Sequence, residues 1–288
     1  MNIKQDFLEI PVTGFIFRIV EGIDKLQQAK IDDLTQCAVY EFENKDRFTL
    51  TPTKQIDTAE KLLKSLSMTQ VQLFIYLLYR WRMQGGNATF QIELKDYYLY
   101  RGIKIRNDSR KRFERDLEVL SALSVQIMQK NNKGYIYGTL LNYQKIDANY
   151  YEIHFDSWID YLKTSQYTLL HKQFFQFNPR YHRDALLLLL KISQLYKLQL
   201  RKENLQPNMK MYTLCKLLGI TTEQIKQQGF KCLLRRLQNS ARQLEQNCGF
   251  IIQLKLETDN LTQFYDSQMY YDHPQLMEHY QQLERRSH

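Results

Sequence analysis

The chain has 288 residues, with 40 Lys and Arg against 31 Asp and Glu, and a formal net charge of +9; 43% of its residues are hydrophobic. That length favours two modest domains over one large one, and the apolar content excludes global disorder. Only 10 Gly and 5 Pro remove collagen-like and linker-rich readings, and argue against a nucleotide-binding sheet, which needs Gly at its phosphate turns.

In chain order, Phe7 to Ile19 reads as short strands around Val12-Thr13-Gly14, and Thr58 to Leu66 reads as a helix. Residues 1–66 are expected to form an N-terminal extension packing on a first domain, 67–155. Ser67-Met68-Thr69-Gln70 opens that domain as a capping box. Val71, Phe74, Ile75, Leu78 and Trp81 then recur at helical spacing until Gly85-Gly86. Ala88 to Ile92 alternates as a strand does, Leu94 to Tyr100 predicts a short helix, and Arg101-Gly102-Ile103 a tight turn. A longer helix is predicted from about Asn107 to Leu123. Strands at Val125–Met128 and Tyr135–Leu140 follow, joined by an Asn131-Asn132-Lys133-Gly134 hairpin turn. Tyr151 to Phe155 is strand-like. Trp81 and Trp158 read as core, and Tyr97, Tyr98 and Tyr100 as wedges between helices.

The second half repeats the plan over 156–265. Asp156 to Leu162 begins a connecting helix. A helix then runs from about Arg180 or His182 to Arg201, and Met209 to Met211 supplies a short strand. Tyr212 to Leu218 is a helix that Gly219 ends. Thr221 or Thr222 caps a short helix through Gln227, and a long helix runs from Phe230 to about Gln246. Phe250 to Leu256 is a wing strand, with Leu261 to Tyr265 as its expected partner. Residues 266–288 read as a polar C-terminal tail.

The charge gathers on the two long helices. Arg101 to Arg115 holds seven basic residues against Asp108 and Glu114, and Lys226 to Arg242 holds five with no acid between them. On a helical wheel with Phe113 at zero, Leu117 and Leu120 fall within roughly 40°, while Lys111 and Arg115 lie opposite. Arg112 and Asn107 flank that outer face. In the second helix Lys231, Arg235, Asn239 and Arg242 oppose the apolar stripe, with Arg236 at its flank.

Helix, strand, helix, turn, helix and hairpin is the order of a winged helix-turn-helix domain, whose second turn helix enters the major groove. The expected fold is therefore α+β, mainly helical, with two such domains in tandem. The expected DNA contacts are Arg106, Asn107, Lys111, Arg112 and Arg115, the wing residues Lys130, Asn132 and Lys133, and Lys231, Arg235, Arg236, Asn239 and Arg242. Most would pair with phosphates, and one or two Arg on each helix would read guanine edges.

No chemistry competes with that reading. There is no G-x-x-x-x-G-K-[ST] loop, no His pair at metal-ligand spacing and no His-x-x-Arg element. No catalytic residue, cofactor or metal is expected. The longest apolar run, Ala185 to Leu190, is far short of the roughly 20 residues that span a bilayer, and Met1 to Asp6 has no signal-peptide plan. Four Cys without a C-x-x-C fit a reduced compartment, with Cys215 and Cys232 as buried thiols. A soluble cytoplasmic protein with no membrane partner is expected.

Leu94 to Leu123 with its hairpin through Leu141, and Tyr212 to Leu256, give an architecture that resembles the replication initiator proteins of bacterial plasmids. The resemblance covers roughly Ser67 to Leu256. It implies binding to repeats in origin duplex DNA, recruitment of host replication proteins, dimerisation through the first domain, and no DNA cleavage. A transcriptional repressor built from the same units, or a helicase-loading scaffold with weak DNA binding, are the rival readings.

Overall fold

The computed structural model describes residues 6–129, 134–162, 167–200, 207–256 and 260–285. The chain mixes helices with antiparallel sheets. It divides into one unit formed by residues 13–167 and another formed by residues 1–12 with 168–288.

The chain starts with β1 (Phe7–Ile10), the only strand in the stretch expected to hold several. Thr13 then caps α1 (Gly14–Lys25), its side chain accepting from Ile16 N at 3.3 Å. Ile16, Phe17, Ile19, Val20 and Ile23 are buried, so a 3.6-residue period overrides the local strand preference of these residue types. Next come β2 (Lys30–Ile31), β3 (Ala38–Glu41) and β4 (Arg47–Leu50), an antiparallel meander. Gly22 lets α1 lie directly on this sheet, since a Cβ there would sit 2.3 Å from the Phe48 ring. Thr58 caps α2 (Ala59–Ser65). From α1 to α2 these elements are part of the first unit.

The Ser67–Gln70 capping box is present at α3 (Met68–Met83), which buries Leu73 to Leu78 and Trp81. There follow β5 (Thr89–Glu93), α4 (Leu94–Tyr100), α5 (Ser109–Ser121), β6 (Leu123–Met128), β7 (Tyr135–Thr139), β8 (Leu141–Lys145) and β9 (Tyr150–Phe155). Two sheets result, one of order β2-β3-β4-β6-β7 and one of order β5-β9-β8. The hairpin expected as the wing, β6 with β7, therefore extends the β2–β4 meander. The hairpin that closes on β5 is β8 with β9, through the loop at residues 146–149. Periodicity marks β5, β6, β7 and β9 but cannot choose their partners.

Residues 157–161 form a 3-10 turn, and no connecting helix starts there. Trp158 is fully buried, and its Nε1 donates to Leu140 O at 2.9 Å. That contact places the turn within the first unit, and the boundary falls between Tyr167 and Thr168, beyond the expected 155.

In the second unit β10 (Thr168–His171) pairs antiparallel with β1, which brings residues 6–12 into this unit. After α6 (Gln173–Gln176) come α7 (Arg183–Leu200), β11 (Asn208–Lys210) and α8 (Met211–Leu218). Gly219, at φ 69°, ends α8 in the left-handed conformation that Gly adopts without strain. A second capping box, Thr221 with Gln224, opens α9 (Thr222–Cys248). Gly229 breaks α9 into residues 222–228 and 230–248. The unit ends with β12 (Ile251–Lys255), α10 (Leu261–Asp266), β13 (Gln268–Asp272) and α11 (Pro274–Arg285).

Two expectations fail at this end. The partner of β12 is β13, in a sheet of order β11-β13-β12, and residues 261–266 are helical. Asn260 starts that helix by accepting from Gln263 N at 2.9 Å, a cap that overrides the alternating look of the segment. The last stretch is no polar tail. α11 buries Leu276 and Tyr280, and the Tyr280 hydroxyl accepts from Leu169 N on β10 at 3.0 Å.

Candidate nucleic-acid interface

The same local order builds a helix-on-sheet platform in each unit. In the first, α3, β5, α4 and α5 are followed, after the β6–β7 hairpin of the other sheet, by β8 and β9, with sheet order first-third-second. In the second, α7, β11, α8, α9 and β12 come in the same order, α10 is inserted before β13, and the sheet order is again first-third-second.

On α5 the apolar stripe is buried: Phe113, Leu117 and Leu120 are at most 1% exposed. Tyr97 packs on Phe113 with ring centroids 5.4 Å apart and on Tyr76 at 5.1 Å. The Tyr98 hydroxyl donates to Ser109 O at 2.9 Å, and Ser109 Oγ accepts from Arg106 N at 2.7 Å. These bonds fix the turn between α4 and α5, and Tyr97 and Tyr98 act as the wedges expected of them. Tyr100 is half-buried, its hydroxyl 3.1 Å from that of Tyr79.

The opposite face is cationic. Arg106, Asn107, Arg110, Lys111, Arg112 and Arg115 are all exposed. Arg112 pairs with Asp108 one turn earlier, and Arg115 Nη2 donates to Ser65 Oγ of α2 at 2.6 Å. Lys111 makes no ion pair with a described residue. Arg110 was not among the expected contacts, although the local run of charge contains it; Lys104 in the turn is exposed as well.

One acid lies under this face. Asp116 Oδ1 accepts from Gln70 Nε2 at 2.6 Å, and Gln70 Oε1 accepts from Ser67 N at 2.7 Å. Burial pushes the Asp116 carboxyl up to about 7 from the usual 3.8, although Arg101, Arg115 and Arg112 pull it down. Loss of hydration outweighs three guanidinium charges there.

The β8–β9 loop, Ile146-Asp147-Ala148-Asn149, contains no basic residue. Asp147 accepts from Asn149 N and Tyr150 N at 2.7 and 2.9 Å. Lys145 at its edge is tied to Glu114 at 2.8 Å. The expected wing contacts Lys130, Asn132 and Lys133 lie outside the described residues.

On α9, Leu233, Leu237, Ala241 and Leu244 are buried, and Lys231, Arg235, Asn239 and Arg242 are exposed. Arg236 is a correction. Its Nη2 donates to Asp184 Oδ1 at 2.8 Å and to Leu218 O at 3.3 Å, with a further contact from Nε to Asp184. It braces α9 against α7 and the end of α8, because Asp184, 16% exposed, needs a counter-charge. Cys215 is buried and its thiol is pushed up to about 11, whereas Cys232, expected to be buried, is exposed on α9.

Among the described residues no three or more His, Cys, Asp or Glu side chains are placed to hold a metal ion, and no helix is long and apolar enough to cross a membrane. No protein-family model and no curated protein matches the chain. It is similar to two crystal structures of domains 2 and 3 of RctB. The selenomethionine derivative has a TM-score of 0.48 and 14% identity, over 88% of this chain and 99% of that one. The other has a TM-score of 0.42 and 14% identity, over 88% and 98%.

Proposed function

We propose that the chain is a sequence-specific, duplex-DNA-binding replication initiator of a plasmid or other mobile element, with a winged helix-turn-helix platform in each unit. The reading gives it no catalytic step. The observation that carries it is the repeated platform, in which the third helix presents a basic face opposite a buried apolar stripe each time.

In this reading α5, with Lys111, Arg112 and Arg115 and with Arg106 and Asn107 in the turn before it, and the second half of α9, with Lys231, Arg235, Asn239 and Arg242, enter major grooves at origin repeats. Most of these cations neutralise phosphates, so affinity falls steeply with salt. An Arg bidentate on guanine adds about 1–3 kcal/mol of discrimination. The cation-free β8–β9 loop leaves the phosphate contacts of the first unit to α5 and its turn. Covalent linkage of two binding units raises their joint affinity through effective concentration. Recruitment of host replication proteins and dimerisation through the first unit belong to the same reading.

The test is fluorescence anisotropy with duplex DNA from the region flanking the gene, against a shuffled duplex, across a salt series. Tighter binding to the native duplex that survives moderate salt is expected, and is weakened by Lys111→Ala, Arg115→Ala, Arg235→Ala or Arg242→Ala. Equal binding to both duplexes that vanishes with salt would overturn specific recognition. Footprinting that finds a single palindrome over a promoter, and no repeats beside an A·T-rich segment, would replace initiation with repression.

A further inference from the structure

Beside the exposed face of α9, the second unit has a cleft of about 440 Å³ whose lining includes Arg180, Tyr181, Arg183, Arg236, Asn239 and Arg242. Four arginines face it against one carboxylate, that of Asp184. Asp184 is already matched twice, by Arg183 Nη1 at 3.1 Å and by Arg236 Nη2 at 2.8 Å. Its charge is therefore not available to neutralise Arg180 and Arg242. Both of these are exposed, and neither makes an ion pair with a described residue.

The backbone that carries Arg180 is held in a turn. Asn178 Oδ1 accepts from Arg180 N at 3.0 Å, Asn178 O accepts from Tyr181 N and His182 N at 3.1 and 2.9 Å, and the guanidinium lies 5.7 Å from the Tyr181 ring centroid. The N-terminal, positive end of the 18-residue helix α7 opens on the same cleft. Guanidinium forks with spare donors suit a tetrahedral oxyanion. Asn239 and Arg242 belong both to the cleft and to the outward face of α9.

We infer that this cleft seats a backbone phosphate of the duplex that α9 reads, with Arg180 and Arg242 as its cationic arms. The inference rests on the DNA-binding reading above, and it adds the segment before α7 to the interface.

Arg180→Ala, Arg242→Ala and the double variant of the full chain are compared with wild type by anisotropy on the native duplex between 50 and 200 mM salt. Arg235→Ala serves as the groove-facing comparison, and Lys210→Ala, on β11 and paired with Asp266, as a charge control in the same unit. Each cleft variant is expected to lower the slope of log affinity on log salt by about 0.9, a loss of salt sensitivity of about 3.5-fold over that range. Lys210→Ala is expected to keep the wild-type slope, and all variants to melt as wild type does, because the substituted side chains are exposed. Wild-type slopes in both cleft variants, with binding weakened by Arg235→Ala, would overturn the phosphate seat and leave the DNA-binding reading standing. Inorganic phosphate and dATP at matched ionic strength separate a free ligand from the DNA backbone. Loss of dATP binding in the double variant with an unchanged duplex slope would assign the cleft to a nucleotide and overturn the inference. Absence of duplex binding by wild type would overturn both readings.

Discussion

Asp116 makes the stability of the first unit depend on pH in a direction opposite to that of a surface carboxylate. Its carboxyl titrates near 7 in the folded chain, against about 3.8 when unfolded. Between those values the folded state holds a proton that the unfolded state has lost, so stability falls as pH rises across the window. Above about 7 both states are ionised and the loss is complete. A displacement of this size corresponds to at most about 4 kcal/mol. Asp116→Asn does not ionise, and its carbonyl still accepts the Gln70 bond of 2.6 Å. The variant should match wild type near pH 4 and become progressively more stable than wild type up to pH 8. Both tryptophans, Trp81 and Trp158, are buried in the first unit, so urea melts followed by Trp fluorescence report on that unit alone. The quantity to compare is the midpoint at constant m, at pH 4, 5, 6, 7 and 8. A difference between variant and wild type that does not change with pH, or a variant less stable at pH 8, would refute the reasoning.

Four further substitutions separate packing from the exposed basic face. Gly22→Ala gains helix propensity but puts a Cβ 2.3 Å from the fully buried Phe48 ring; a net loss of about 1–3 kcal/mol is expected in the Trp-detected melt, and unchanged stability would show that α1 does not press on β4. Asp46, 3% exposed, pairs with Arg18 and accepts from Met128 N at 2.9 Å; Asp46→Ala should cost about 3 kcal/mol in the same melt by leaving Arg18 without its counter-charge, and a cost close to zero would rule out that role. Arg236→Ala and Arg235→Ala are neighbours with opposite expected outcomes. The first should lower the far-UV melting temperature of the second unit by removing a partner of Asp184, whereas the second should stay within about 0.5 kcal/mol of wild type and weaken duplex binding; equal melting of the two variants would deny Arg236 its bracing role.

Much of the candidate interface was legible along the chain. The boxes at Ser67–Gln70 and Thr221–Gln224, the stop at Gly219 and the two basic faces all rest on residues within four positions of each other or on one helical period. Local hydrogen bonding and side-chain direction decide such features before any long-range contact forms. The exposed cations on α5 and α9 lie where the wheel puts them, because burying Phe113 with Leu117, or Leu233 with Leu237, leaves the other face to water. Arg236 defeats that logic. It sits at the flank of the wheel and stays exposed, and only the position of Asp184, 52 residues earlier, ties it to α7.

The caps at Ser67 and Thr221, the stop at Gly219 and the sign of the α5 and α9 faces were thus determined by the sequence itself, through short-range periodicity and capping. Tertiary structure alone decided the partners and the borders. β5 takes β9 and not β7, β12 reaches past α10 to β13, and β1 joins β10 across the whole first unit. Alternation shows that a segment has one face to bury but not which open strand edge will receive it. The raised titration of Asp116 has the same origin, since it depends on what α3 and α5 exclude from water when they meet.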